Sequence, residues 1–231
     1  MRDLPSTVEG VIDRLVEIDD DLPPGDGVAV FNRLYLTVTE RVLSALESRD
    51  IFTDPQFMAE LDVRFANHWL KAYDDAGTGQ PGKAWSALFE HRRSRGLLPV
   101  QFAVSGMNSH IEHDLPVAVI ATCRSRGTTP RRAAVRTDYE AVNDILASVE
   151  SEIRRSFLTE VGRRLDDEID PVVHLVSSWN IDKARDLAWV SVEALWAMRR
   201  LEVLAERYAA ALARTVGMVS RYLLTPVVVP R

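Results

Sequence analysis

The sequence predicts an all-α fold, a bundle of about eight kinked helices around one buried central helix. Apolar residues recur at three- and four-residue steps along most of the chain, which is the periodicity of helices that bury one face. Clusters of proline and glycine separate these periodic segments. The strict alternation typical of half-buried strands is missing, and the best strand candidate, residues 227–229, lies between two prolines.

The composition is that of a globular protein, and we expect one domain over residues 1–231 with a short tail over 226–231. Hydrophobic residues make up 46% and charged residues 27% of the chain, enough apolar material for a sizeable core. A net charge of −6 argues against nucleic-acid binding. No apolar run reaches the roughly 20 residues that span a bilayer, so we expect no membrane contact. Cys123 is the only cysteine, which predicts a reducing, cytoplasmic location.

The first two helices are separated by a break at residues 23–27. Helix one is predicted over about 6–20, where Ser6 fits an N-cap and Glu9, three residues later, completes a capping box. Helix two is predicted over about 28–48 from its regular apolar spacing.

The next two helices follow a stronger start signal. Asp54 followed by Pro55 combines an N-cap with a proline at the first helical position, and the helix should reach about residue 75. A glycine-rich loop at 77–82 precedes a short helix over about 83–95, which Gly96 ends.

Residues 99–125 should form the buried central helix, which the break at 127–130 ends. Their apolar side chains point in all directions around the axis, and a helix that is apolar all round is a buried one. Pro116 should kink this helix, because its ring separates the carbonyl of Glu112 from its usual partner. The apolar positions are Val100, Phe102, Ala103, Val104, Met107, Ile111, Leu115, Val117, Ala118, Val119 and Ile120.

The remaining third of the chain is also predicted to be helical. Asp138 fits the N-cap of a helix that reaches about residue 159. Short helices are expected over 160–177, a longer one over 181–199, and the last over 201–224.

The central helix carries more polar groups than a purely structural helix needs. His110 and Asp114 are four residues apart and share a face, with Gly106 one turn earlier. Asn108 and Glu112 share another face. Each buried polar group that lacks a partner costs about 1–3 kcal/mol, so partners or a ligand must satisfy them.

Three interpretations of this cluster remain open. His110 and Asp114 could form a self-contained structural pair. Asp114 could instead orient His110 as a general acid or base toward a bound small molecule. Both could also bind a divalent metal, with further ligands drawn from His68, Asp62, His113 and His174.

Five further residues lie among apolar neighbours and are predicted to contact a substrate: Arg64, Arg185, Trp179, Tyr35 and Asp62. Arg185 falls on one helical stripe with Trp189 and Trp196, and it could bind either a carboxylate ligand or an internal aspartate. A solvated face or core packing explains any one of these positions equally well.

Standard catalytic signatures are missing: the sequence contains no GxGxxG, Walker A, GxSxG, CxxC or HExxH motif. A non-enzymatic interaction or scaffold protein, or a homodimer, is therefore a further interpretation. The feature that would indicate such an interaction surface is an apolar stripe on the last helix, formed by Leu201, Leu204, Tyr208, Leu212 and Met218.

The string GMNSHI at residues 106–111, followed by Asp114, Leu115 and Pro116, resembles the hallmark of the DUF5995 family, bacterial helical proteins of unknown function. The likeness extends over nearly the whole chain, although Glu112 stands where the family usually has asparagine. Further positions that look like matches are Asp26, Gly27, Phe31, Tyr35, Thr39, Asp62, Arg64, Phe65, Trp85, Asp138, Asn143, Trp179, Ala184, Arg185, Trp189, Leu195, Trp196 and Gly217.

The resemblance implies that Asn108, His110 and Asp114 act as a group, and it makes His113, His68 and His174 poorer ligand candidates. We therefore expect a small-molecule-binding protein that performs cyclisation, isomerisation or hydrolysis by acid/base chemistry without a cofactor, with these three residues as the catalytic set. The alternative is a metal-dependent hydrolase with His110 and Asp114 as ligands.

Overall fold

A computed structural model describes residues 3–48, 50–164 and 179–226 of the chain. Within these ranges the structure is helical and has no strand, so the predicted all-α fold is confirmed. A five-residue π-helical turn, His110–Asp114, joins the fifth α-helix to the sixth. The α-helices are α1 (Val8–Asp21), α2 (Gly27–Ser48), α3 (Pro55–Ala76), α4 (Gly82–His91), α5 (Pro99–Ser109), α6 (Leu115–Ser125), α7 (Ala133–Arg164), α8 (Ile181–Ala197) and α9 (Glu202–Leu223).

Local side chains begin several of these helices. The Asp54 carboxylate accepts the main-chain N–H of Phe57 at 2.9 Å, as its N-cap position predicted. At α1 the N-cap is Thr7, whose hydroxyl accepts the N–H of Gly10 at 3.1 Å. The prediction that Ser6 caps this helix is therefore wrong by one residue, because the extended backbone that a cap requires falls at Thr7.

The sequence pattern predicted that Asp138 caps its own helix, and the structure shows that it does not. Helix α7 begins five residues earlier, at Ala133, and the Asp138 side chain is fully buried inside the bundle. Its carboxylate accepts the main-chain N–H groups of Thr53 and Asp54 at 2.6 and 2.8 Å. Asp138 therefore anchors the start of α3 from a distant part of the chain.

The central segment is interrupted where one continuous kinked helix was predicted. In the π-turn the N–H of Leu115 reaches the carbonyl of His110, five residues back. Pro116 follows directly and cannot donate a main-chain hydrogen bond, so the regular ladder cannot pass through this position unchanged. Helices α2, α3, α4, α8 and α9 pack around the segment from α5 to α6. It is buried, as its apolar pattern predicted.

Two glycines allow close approaches that hold the bundle together. A Cβ atom at Gly106 would lie 2.3 Å from the ring of Phe31 on α2. A Cβ atom at Gly217 would lie 2.2 Å from the carbonyl oxygen of Lys83, where α9 crosses α4. Neither position has room for a side chain, because cores are packed to crystal-like density.

The apolar stripe predicted on the last helix is divided in the structure. Leu201, Leu204 and Met218 are exposed, whereas Tyr208 and Leu212 pack against the core.

None of the described helices combines the length and apolarity needed to cross a bilayer. Three predictions fall wholly or mostly outside the described residues: His174, the strand candidate at 227–229 and the helices over 160–177. Helix α7 itself continues to Arg164.

Candidate functional site

A cavity of about 80 Å³ lies between the central segment and the helices around it. Side chains from α2, α3, α5, α6, α7 and α8 form its wall together with the π-turn. The wall is mainly aliphatic and aromatic, and its polar members are Tyr35, Asp62, His110, Tyr139 and Arg185. A mainly apolar enclosure with a few polar groups is typical of small-molecule sites. Four of the residues predicted from the sequence to form a site therefore share one cavity.

Asp114 holds the imidazole of His110 in one orientation. The Nδ1 atom of His110 lies 2.9 Å from Oδ2 of Asp114, and both side chains are buried. The same carboxylate accepts the indole N–H of Trp85 at 3.1 Å and faces Nδ1 of His113 at 2.6 Å. Burial opposes ionisation of Asp114, but the hydrogen bonds from His110 and His113 outweigh it and hold its pKa well below the ordinary value.

Because an ionised carboxylate only accepts hydrogen bonds, Nδ1 of His110 carries the ring proton and Nε2 keeps a lone pair. The Nε2 atom is buried and meets no hydrogen-bond partner among the described residues. The ring lies parallel to that of Phe65, with centres 3.6 Å apart, and edge-on to Tyr35 at 4.5 Å. Burial lowers the pKa of His110 although Asp114 opposes that effect, so the imidazole is neutral at pH 7.

Asp62 faces the same cavity from α3. Its Oδ2 atom is buried and has no hydrogen-bond partner in the described part of the chain. Burial raises the pKa of this carboxyl group to about 7, so it exchanges a proton near neutral pH. The hydroxyl of Tyr35 is also buried in this wall. Burial, and then the charge of Asp62, raises the pKa of Tyr35 well above its ordinary value, so the phenol stays protonated.

Arg185 contributes a buried cation to the cavity wall. Its Nε donates to Oδ1 of Asn143 at 2.6 Å, and its Nη2 donates to the main-chain carbonyl of Tyr139. The guanidinium carbon lies 4.1 Å from the centre of the Tyr139 ring, a cation–π contact. Among the side chains that the structure describes, in residues 3–48, 50–147, 149 and 179–226, no carboxylate lies within ion-pair distance of Arg185.

The structure does not bring Asn108, Arg64 or Trp179 to the cavity. Asn108, two residues before His110, faces α9 instead and donates to the carbonyl of Val216 at 3.2 Å and to the hydroxyl of Ser220 at 3.0 Å. Arg64 points outward, half-exposed, and pairs with Glu60 at 2.9 Å. Trp179 packs against the edge of the core. Residues two apart on a helix face different directions, which separates Asn108 from His110 and Arg64 from Asp62.

The candidate metal ligands that the structure describes do not form a metal-binding group. Among the described residues, no three His, Cys, Asp or Glu side chains form a group that could hold a metal ion. Both oxygens of Asp114 already face N–H donors. Burial lowers the pKa of His68, and this effect is larger than the opposing effect of the nearby Asp114 charge.

Three residues that shape the site were not among the predicted site residues, although His113 was considered as a metal ligand. His113 and Trp85 complete the environment of Asp114, and Phe65 stacks on His110. Phe65 lies three residues after Asp62 on α3, so the helical spacing could have placed both on one face. No comparable signal existed for Trp85, which reaches Asp114 from another helix, or for His113, since adjacent helix residues do not normally face each other.

Comparisons with known proteins give one result. The family model described as "Family of unknown function (DUF5995)" matches residues 8–226, a range that includes every residue of the cavity wall. No curated protein and no solved structure matches the chain. Because the family model covers nearly the whole sequence, this chain belongs to the DUF5995 family.

Proposed function

We propose that this protein binds a small, mainly apolar molecule in the cavity and transfers protons on it without a cofactor, with His110 as general base. One observation carries this proposal: Nε2 of His110 has no partner among the described residues, while Asp114 holds Nδ1. A lone buried nitrogen of this kind costs stability unless a ligand uses it. The pair of a base and an orienting carboxylate is the arrangement that general-base catalysis requires.

The titration of the two cavity groups supports complementary roles. His110 is neutral at pH 7 because burial lowers its pKa, so Nε2 can accept a proton. The carboxyl group of Asp62, with a pKa of about 7, is partly protonated at the same pH and can donate one. Titratable groups whose surroundings set them to opposite protonation states are the usual sign of an acid and a base in one site.

Among cyclisation, isomerisation and hydrolysis, the cavity favours isomerisation. A space of about 80 Å³ holds one small substrate and leaves little room for a second reactant. We propose that Nε2 of His110 removes a proton from a carbon next to a carbonyl group, while Asp62 protonates the carbonyl oxygen. The product is an enol. Asp114 stabilises the imidazolium that forms. Release of the enol completes a keto–enol isomerisation, after which the imidazolium of His110 loses its proton to water and Asp62 takes one up from water. Reversal before release returns a proton to carbon and gives the exchange.

Proton exchange at carbon tests this function before the natural substrate is known. Short ketones and oxo acids are incubated with the protein in D₂O, and loss of their carbon-bound protons is followed by NMR. The wild-type protein should accelerate exchange, and His110→Ala should lower the rate by about 10²–10⁴-fold. His91→Ala is the matched control, because His91 lies on α4 and bonds the carbonyl of Ala87.

If His110→Ala lowers only the stability and leaves exchange and ligand affinity unchanged, the proposal is wrong. The same preparation separates the metal-dependent alternative. A stoichiometric metal in purified protein that is absent from His110→Ala, with activity abolished by a chelator, would support metal-assisted hydrolysis instead. Activity that persists after chelation supports the cofactor-independent reaction.

We keep the cytoplasm as the expected location of this activity. The single thiol, Cys123, is buried, and burial raises its pKa to about 12, so it is an unreactive packing group. A chain without a second cysteine needs no oxidising compartment in order to fold.

A further inference from the structure

Among the described residues of the cavity wall, Arg185 carries a charge that the acid/base proposal does not use. Its side chain is buried, with 5% of the residue exposed to solvent, and it contributes to the same wall as His110 and Asp62. The guanidinium remains charged in proteins, even where burial lowers its pKa. A buried cation is costly unless it is paired or fully hydrogen-bonded.

Only some of the N–H groups of this guanidinium donate hydrogen bonds to the described residues. A guanidinium has five N–H donors, and the described residues accept hydrogen bonds from its Nε and Nη2 atoms alone. Both acceptors, the side chain of Asn143 and the carbonyl of Tyr139, are neutral. The Nη1 group has no acceptor among the residues whose side chains the structure describes. Two donors therefore fix the guanidinium in place, and its outer edge stays available.

We propose that Arg185 binds the carboxylate of the ligand, so that the substrate class is a short-chain oxo acid. The planar guanidinium edge matches a carboxylate in a two-bond arrangement. A phosphate dianion fits less well, because the carboxyl group of Asp62 lies in the same cavity wall and would repel the additional negative charge. The substrate assignment rests on the proposed proton transfer, whereas anion binding by Arg185 stands on its own contacts.

The rest of the cavity defines the size and character of the chain that carries the carboxylate. Its volume, about 80 Å³, limits the ligand to a short chain of a few carbon atoms. Aliphatic walls that include Val142, Leu146 and Ile181 suit a short hydrocarbon chain. Such a chain, held at one end by Arg185, occupies the space that His110 and Asp62 border.

Calorimetry with butyrate and butyramide tests the anchor directly. The two probes have nearly the same shape and differ in charge. The wild-type protein should bind butyrate at least about tenfold more tightly than butyramide, and Arg185→Gln should abolish the preference. Arg33→Gln is the matched control, because Arg33 is a surface residue that pairs with Asp19. Arg185→Lys keeps the charge but loses the planar edge, and it should retain only part of the preference.

Equal affinity of the wild-type protein for the two probes would overturn the anchor, and so would a preference that survives in Arg185→Gln. The wild-type comparison decides the question even if the Arg185 variants fail to fold. The proton-exchange assay separates this result from the proposed function. Exchange that depends on His110 but is equal for 2-oxobutyrate and 2-butanone overturns the anchor alone. Butyrate binding that depends on Arg185, without exchange, supports the anchor and overturns the proton transfer.

Discussion

The imidazole ring of His110 lies face to face with the phenyl ring of Phe65, with ring centres 3.6 Å apart and planes within 7° of parallel. Phe65 comes from α3 and His110 from the π-turn, so this contact joins two elements across the cavity wall. Together with the hydrogen bond to Asp114, it leaves the ring little freedom to rotate. A base whose orientation is fixed in advance loses less entropy when it reacts.

Asp114→Asn should lower the proton-exchange rate by about 10²–10⁴-fold. An amide can donate a hydrogen bond to Nδ1 of His110, which moves the ring proton to Nε2 and removes the lone pair that acts as base. NMR of the imidazole nitrogens would report the change of tautomer. Asp75→Asn, at a partly exposed pair with Lys71, is the control. Full activity in Asp114→Asn would contradict the role of Asp114.

The exchange rate should have a bell-shaped dependence on pH. It should rise with pH through the pKa of His110, which burial places below its ordinary value of 6.5, because only the neutral imidazole accepts a proton. It should fall again near pH 7, where the carboxyl group of Asp62 loses its proton. Asp62→Asn cannot ionise, so any residual activity should lack the alkaline decline. A flat wild-type profile between pH 5 and 9 would contradict both assignments.

Asp62→Asn should also change how stability depends on pH. The pKa of Asp62 rises from 3.8 to about 7 on folding, so the folded state binds this proton more tightly than the unfolded state does. The wild-type protein therefore loses stability from this group as pH rises from about 4 to about 7, by up to about 4 kcal/mol. The stability of Asp62→Asn relative to wild type should increase over that range and then level off, as measured by urea unfolding. A constant difference would contradict the prediction.

Gly106→Ala should lower the free energy of unfolding by about 1–3 kcal/mol, although alanine has the higher helix propensity. The added methyl group would lie 2.3 Å from the Phe31 ring, which packs edge-on against His110. Gly10→Ala is the control, because its nearest contact is an ordinary 3.4 Å and its stability should be unchanged or slightly higher. Chemical denaturation measures both. Equal effects of the two variants would show that the Phe31 contact is unimportant.

Asn108→Ala should lower stability by about 1–3 kcal/mol and leave exchange and butyrate binding at wild-type levels. Its amide holds Val216 and Ser220 of α9 and does not contribute to the cavity wall. Differential scanning calorimetry and the exchange assay, run on the same sample, separate the two effects. A large loss of exchange in a stable Asn108→Ala variant would restore the catalytic role that the sequence predicted.

The helices and the His110–Asp114 pair could be predicted from the sequence because they depend on residues close together in the chain. The cap at Asp54 needs only Phe57, and the pairing of His110 with Asp114 needs only a helical spacing of four. Even there, the π-turn was missed, since a proline predicts an interruption but not its form.

Which polar side chains face each other across the bundle was decided by tertiary packing alone. Asp138 anchors the start of α3 across 85 residues of sequence. Asp62 of α3 and Arg185 of α8 contribute to one cavity, whereas Asn108, beside His110 in the chain, turns toward α9. The sequence by itself therefore determined the helices and one polar pair. The tertiary structure decided the members of the site, because helical periodicity defines the faces of each helix but not the partner that each face meets.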